Sequence, residues 1–378
     1  MKGILSLAYK LLVNDKAKFS ALLVGITFAV FLMVAMTGLF AGVLRRGSAT
    51  VINLGAPMWI MDPAVQTVAN TIGMPDYVLD AVRSMDGVEY AVPVYSGGAL
   101  VKMADGVYQA VSVVGLDDIS LYGRPPLLEG RIEDIYGENA FIIVKDTEYP
   151  KLENPPIGTE FELNDHRGVI VAIANAASNS LFGVPTLYTT YRRALQYIPN
   201  PRFTISYILL KPKTPADVAR VEQQARRLGY LALTREEFIG KITDFYMFHT
   251  GVGMNLLIMT VMSFIVGLSI SGQTFYTFIL ENLEKFGALK AIGAKRGELI
   301  AMIFFQAAFT SLTGFGLGVG LVSLVLCLAR LRLPDYAGVI AWWNLYSALV
   351  MVVVIAAVSS YVGVRKVLHV EPFDIFRG

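Results

Sequence analysis

Three histidines (His166, His249 and His369), one cysteine (Cys327) and the acidic doublets Asp117-Asp118 and Glu236-Glu237 are among the side chains through which this sequence could ligate a metal or move a proton. The histidines lie far apart and share no ligand spacing, so they outline no metal site. Neighbouring carboxylates on a helix or strand do not face one another, which makes the doublets solvated surface rather than an acid–base pair. Cys327 sits in an apolar run with no second cysteine to pair with. A phosphate cradle is missing as well: Gly293-Ala294-Lys295-Arg296 lacks the Gly-Lys-Ser/Thr that sets backbone amides and a lysine on phosphates. The sequence therefore predicts no catalytic, cofactor-binding or metal-binding residue in this chain, and no enzyme activity.

What remains is recognition by a surface. Residues 281–298 form a charged, glycine-punctuated stretch between two long apolar runs, and carry Glu284, Lys285, Phe286, Gly287, Leu289, Lys290, Ile292 and Gly293. Phe286, Leu289 and Ile292 recur at the three-residue spacing that lines one helix face. A plain connector seldom keeps that pattern, so the stretch is expected to be a docking segment.

The elements that hold it belong in a membrane. Hydrophobic residues make up 54% of the 378 and charged residues 16%, against about a quarter charged in soluble proteins. The net charge of +2 and the lack of a basic run with interleaved aromatics give nucleic acid no footing. Residues 1–18, with Lys2, Lys10, Lys16 and Lys18 among leucines, read as an amphipathic surface helix. The run 19–44 is uncharged and exceeds the ~20 residues that a bilayer requires, and 245–280, 299–329 and 340–364 are further spans. Trp342 and Trp343 stand at an interface position. Residues 45–244, with charges and prolines at soluble density, read as an α+β domain inserted between the first and second spans. The resulting fold class is four transmembrane α-helices with a large α+β extracytoplasmic domain.

Within that domain, 75–85 reads as a helix, and short β runs are expected at 89–95, 99–103, 108–115, 140–144, 159–163, 167–174, 203–210 and 230–233. Asp105-Gly106 signals a hairpin. Thr214-Pro215-Ala216-Asp217 opens another helix, and Thr234 with Glu237 forms a capping box for a helix whose face is Phe238, Ile242 and Phe245. That helix is expected to run unbroken into the second span as a lever.

Lysine and arginine counts set the orientation: both termini, the 281–298 segment and the 365–378 tail are expected in the cytoplasm, with 45–244 and the short 330–339 loop outside. The cores of all four spans lack Asp, Glu, Lys and Arg, which argues against a transporter driven by an ion gradient. Small residues recur instead. Gly25, Gly267 and Gly314 with Gly318 (or Gly316 with Gly320) read as close helix packing.

The layout of one span, a large outer domain and three further spans, together with Glu284-Lys285-Phe286-Gly287-Ala288-Leu289-Lys290-Ala291-Ile292-Gly293-Ala294, resembles the FtsX-like permeases of the MacB, LolCE and DevC type, the type VII ABC transporters. That family's loop reads approximately Arg-Glu-(Ile/Phe)-Gly-x-(Leu/Met)-(Lys/Arg)-Ala-(Ile/Leu)-Gly-Ala. Glu284-Lys285 inverts its first pair. Weaker resemblances are Gly25-Ile26-Thr27-Phe28-Ala29-Val30, Gly87-Val88, Leu128-Glu129-Gly130-Arg131 and Val370-Glu371-Pro372, and size and first helix look most like the DevC type.

The resemblance implies a multi-pass protein of the bacterial cytoplasmic membrane, a homodimer or a dimer with a paralogous permease. A separate cytoplasmic ATPase subunit would bind ATP and Mg, and a periplasmic adaptor is a possible further partner; membrane lipid surrounds the spans, and no cofactor belongs to this chain. Energy would pass through 281–298 to the outer domain by mechanotransmission. The cargo would be a lipid, lipoprotein, peptide or hydrophobic drug for export or extraction; the alternative is a signalling mechanotransducer that regulates an extracytoplasmic enzyme without transport.

Overall fold

A computed structural model describes residues 2–146, 148–177, 184–198, 205–332, 336 and 338–368. The tail from His369 onward, including Val370-Glu371-Pro372, lies outside the described residues, as do Phe203 and Thr204 at the start of one expected strand. In chain order the elements are α1 (Lys2–Asn14), α2 (Lys16–Gly47), α3 (Ala49–Leu54), β1 (Met58–Met61), α4 (Tyr77–Arg83), β2 (Val88–Lys102), β3 (Tyr108–Leu116), β4 (Leu127–Gly130), β5 (Ala140–Val144), β6 (Glu160–Leu163), β7 (His166–Ala174), β8 (Thr186–Thr190), α5 (Tyr191–Tyr197), β9 (Tyr207–Pro212), α6 (Val218–Arg227), β10 (Leu231–Thr234), α7 (Arg235–Asp244), α8 (Gly251–Glu281), α9 (Leu283–Ala291), α10 (Arg296–Arg332) and α11 (Trp342–Leu368). They fall into two compact units, one made of residues 1–42, 252–332 and 338–378, the other of 43–251 with 333–337.

In the helical unit, α2, α8, α10 and α11 are long and apolar enough to cross a membrane by length and composition. Glycines let them approach. A Cβ on Gly25 would stand 2.6 Å from Ile270 Cγ2, one on Gly314 2.7 Å from Ile26 Cγ2, and one on Gly318 2.7 Å from Val30 Cβ, while one on Gly267 would overlap Ala29. Gly316 and Gly320 face open space, so 314 and 318 are the pair that seats α10 against α2.

The other unit is built on a ten-stranded sheet ordered β10-β1-β9-β2-β3-β8-β5-β7-β4, with β6 pairing both β2 and β7. Through β6 the strands β2, β3, β8, β5, β7 and β6 close a ring. Alternation along β2 divides the cores. Tyr95, Ala99 and Val101 enter the ring's own cluster with Phe141, Ile143 and Leu187, whereas Val92 and Val94 join a second cluster with Trp59, Tyr207 and Phe238. A third cluster, including Met58, Ile60 and Val221, lies under α4 and α6. The hairpin forms at the expected place: Gly106 takes φ +82° and Val107 N–H donates to Asp105 Oδ1 at 2.9 Å.

Several elements differ from the sequence expectation. The two strands expected at 89–95 and 99–103 are one strand, because backbone pairing with β3 runs straight through Ser96-Gly97-Gly98. Besides the six-residue α3, four elements escape periodicity altogether. The strands β1 and β8 are buried at every position and show no alternation, β4 has four residues, and α5 has seven.

The unbroken lever helix does not form. After α7 the chain makes a π-turn over Phe245–His249, and Thr250 is extended, with φ −116° and ψ 151°, before α8 begins at Gly251. A β-branched residue followed by Gly251 and Gly253 is weak helix sequence, and the Thr250 hydroxyl donates to the Tyr246 carbonyl at 2.8 Å.

Candidate functional site

The stretch between α8 and α10 is helical, as its periodicity requires. Asn282 precedes α9 and is buried; its side-chain amide donates to the Phe278 carbonyl at 2.8 Å, and its Oδ1 accepts from Lys285 Nζ at 2.8 Å. This one side chain closes the end of α8 and opens α9. At the far end Gly293 adopts φ +107°, a left-handed position that a side chain would strain, and Ala294 N–H reaches the Leu289 carbonyl at 3.0 Å. Glu298 Oε2 then accepts from Lys295 N–H at 2.8 Å and starts α10.

Side chains of α9 divide differently from the expected face. Phe286 is 1% exposed and packs in a cluster with Ala8 and Leu12 of α1, Leu22 of α2, Phe275, Phe278 and Ile279 of α8, and Leu299, Met302 and Ile303 of α10. Gly287 is buried beside it, and Leu289 is half-buried against the same cluster. Ile292 is 85% exposed. The expected single face of Phe286, Leu289 and Ile292 is therefore corrected: the first two hold α9 to the bundle, and Ile292 points away because it sits where the helix ends and the chain turns at Gly293. Between Leu283 and Ile292 the exposed residues are Glu284, Lys285, Ala288, Ala291 and Ile292, and Lys290 is half-buried.

The amphipathic α1 belongs to the same assembly. Gln306, fully buried on α10, donates from Nε2 to the Ala8 carbonyl at 2.9 Å, and Tyr9 meets Phe309 edge-on at 5.2 Å. Lys18 pairs with Asp15 at 2.8 Å and with Glu281 at the end of α8. Its hydrogen bond holds the Asp15 carboxyl below the usual carboxylate range. Sequence reading passed over Asn282, Gln306 and Ala8. The signal for the two amides was a polar group inside or beside an apolar run, which demands a buried partner.

In the other unit, Thr234 and Glu237 form the expected capping box: the Glu237 carboxylate accepts from Thr234 N–H at 2.8 Å, and the Thr234 hydroxyl accepts from Glu237 N–H at 3.3 Å. Phe238 and Ile242 are fully buried in the domain core, where Phe238 lies 5.5 Å from Trp59, and Phe245 is partly buried against them. That face holds α7 in its own domain. A second tie in this unit was not foreseen: Arg46, near the end of α2, pairs with the fully buried Glu148 at 3.4 Å, and Lys151 approaches the same carboxylate at 3.1 Å.

Among the described residues no group of three or more His, Cys, Asp or Glu side chains could hold a metal ion.

The MacB-like periplasmic core domain model matches residues 20–228, and the FtsX-like permease C-terminal model matches 256–372. An uncharacterized ABC transporter permease of Mycobacterium tuberculosis is 25% identical over 359 residues, covering 94% of this chain and 93% of its own. Among solved structures, the extracellular domain of the noncanonic ABC-type transporter YknZ from Gram-positive bacteria aligns with a TM-score of 0.37 and 14% identity, over 47% of this chain and 99% of that one. The periplasmic region of MacB from Actinobacillus actinomycetemcomitans aligns at 0.37 and 13%, over 50% and 94%.

Proposed function

The chain belongs to the FtsX-like, MacB-like family of ABC transporter permeases, and from that premise we propose that α9 receives the work of ATP hydrolysis from a separate ATPase subunit and passes it to the extracytoplasmic domain. ATP and Mg are held by that partner. The observation that carries this reading is the split of α9. Phe286 and Gly287 are buried in a cluster drawn from α1, α2, α8 and α10, while Glu284, Ala288, Ala291 and Ile292 stay exposed. Force applied to the exposed side reaches four helices at once, since packed cores transmit strain rather than absorb it.

The uncharged span cores leave no intramembrane carboxylate or base for a proton relay, which favours mechanical over ion-gradient coupling. The cargo that fits such a machine is a hydrophobic or peptidic molecule exported or extracted from the membrane, and the permease works as a dimer with both termini in the cytoplasm.

The test is co-purification of the full chain with the ABC ATPase encoded nearest to it. Ile292→Asp is expected to lower recovery of the ATPase at least tenfold while the permease keeps its melting temperature. Equal recovery with Ile292→Asp and with a second variant, Ala288→Glu, would overturn the reading.

A further inference from the structure

The largest cavity among the described pockets lies wholly in the extracytoplasmic unit, with a volume of about 720 Å³. Among the described residues no Asp, Glu, Lys, Arg or His lines it. Its floor comes from Ser96 and Gly98 of β2 with Ala110 and Ser112 of β3, four small residues on one sheet face, where Gly98 stands opposite Ser112 and Leu100 opposite Ala110. Further along that face, Val94 and Val114 are covered by the domain core. At the four small residues the cover stops.

Among the described residues the outer edge of β2 is open at the same place. Up to Val94 it pairs with β9, and from Val101 with β6. Between them two side chains stand in for a strand. Ser96 N–H donates to Ser206 Oγ at 2.9 Å, and Leu100 N–H donates to Asn164 Oδ1 at 3.0 Å, while Asn164 N–H returns a bond to the Leu100 carbonyl at 3.0 Å.

In an antiparallel pair every second residue turns both backbone groups outward, so Gly98, midway between Ser96 and Leu100, turns its N–H and C=O away from β3. Among the described residues nothing bonds to either group. Gly98 is exposed, and a Cβ there would meet nothing within 4 Å. Among the described residues its edge is an unpaired template with glycine on both the 97 and 98 positions, which lets another backbone approach.

We propose that this cavity binds an extended peptide segment with uncharged side chains, which adds as a short strand along residues 96–100 and exchanges hydrogen bonds with Gly98. An uncharged cavity lined by small residues would by itself also admit an acyl chain. The outward N–H and C=O of Gly98 decide for a ligand that carries amides, because an acyl chain would leave both unpaired. The uncharged lining decides for uncharged side chains, since among the described residues a buried ionic group would find no partner. The proposal names the cargo of the transport reading above as peptidic, and rests on it only for the peptide's fate after binding.

The experiment uses the full chain in lipid nanodiscs without nucleotide or ATPase, so a failure of ATPase coupling leaves it unaffected. The probes are dye-labelled, end-capped heptapeptides of Val, Thr, Ser, Ala and Leu, read by fluorescence polarisation. Saturable binding is expected. It should weaken at least tenfold on N-methylation of the central amide, with Gly98→Trp, which fills the cavity, and with Ser112→Trp, which fills it from β3. Absence of saturable binding across the peptide set overturns the proposal. So does equal affinity for the N-methylated peptide, which would identify an apolar rather than a strand-pairing site, and so does unchanged affinity in both tryptophan variants. Unaltered melting temperatures of the variants identify them as folded. Should Gly98→Trp unfold, Ser112→Trp and the N-methylated peptide decide alone.

Discussion

At the scale of single residues, burial separates side chains that hold the molecule from those that meet a partner. Phe286 is the clearest holder, with 1% exposure among apolar neighbours from four other helices. Phe286→Ala is expected to cost about 3–5 kcal/mol, by lost burial and the cavity left behind, and to lower the melting temperature in detergent without removing the exposed Ile292. Glu148 is the polar counterpart. Glu148→Ala leaves Arg46 and Lys151 at a vacated carboxylate site and is expected to destabilise the extracytoplasmic domain by about 3 kcal/mol, read as a lower melting temperature. The sequence could announce Phe286 as part of a helical stripe, since spacing is local information. It could not say that Phe286 turns inward and Ile292 outward, because that depends on where Gly293 ends the helix and on what α1 places beneath it. Glu148 was silent for the same reason: its partner Arg46 is 102 residues away.

Among elements, legibility followed length and period. The four long apolar helices, the Asp105-Gly106 hairpin and both threonine-led caps depend on neighbours in the chain, and each is where the residues indicate. Strands buried on both faces carry no alternation, so Met58–Met61 and Thr186–Thr190 went unread. Ser96-Gly97-Gly98 fell between two expected strands but belongs to one continuous strand, whose small residues leave a cavity open. Glycine content alone could not rank the two pairs of α10; their facing neighbours do. Gly318→Ile is expected to cost about 2 kcal/mol or more, because Val30 and the Thr27 carbonyl occupy the space. Gly316→Ile, which faces open space, should leave the melting temperature within a degree or two. A reversed order would mean that α10 seats α2 by its other side.

Over the whole molecule, the two units carry separate cores. The three hydrophobic clusters of residues 43–251 draw on no residue of the helical unit, so a fragment spanning 48–249 is expected to express as a soluble, cooperatively unfolding domain. A fragment begun at residue 56 loses Val51 and Leu54 from the main cluster and should be less stable by about 3 kcal/mol or more, measured by urea unfolding. The helical unit offers no such separable piece, and the bond from Gln306 to Ala8 shows what that means for its making. Its partners are 298 residues apart. When α1 is made its seat on α10 does not yet exist, so this amphipathic helix is expected to stay unseated until the chain as far as Gln306 has been made. An early segment is thus seated only by a late one, and protease access to residues 2–8 of stalled nascent chains should close only after the segment bearing Gln306 has been made.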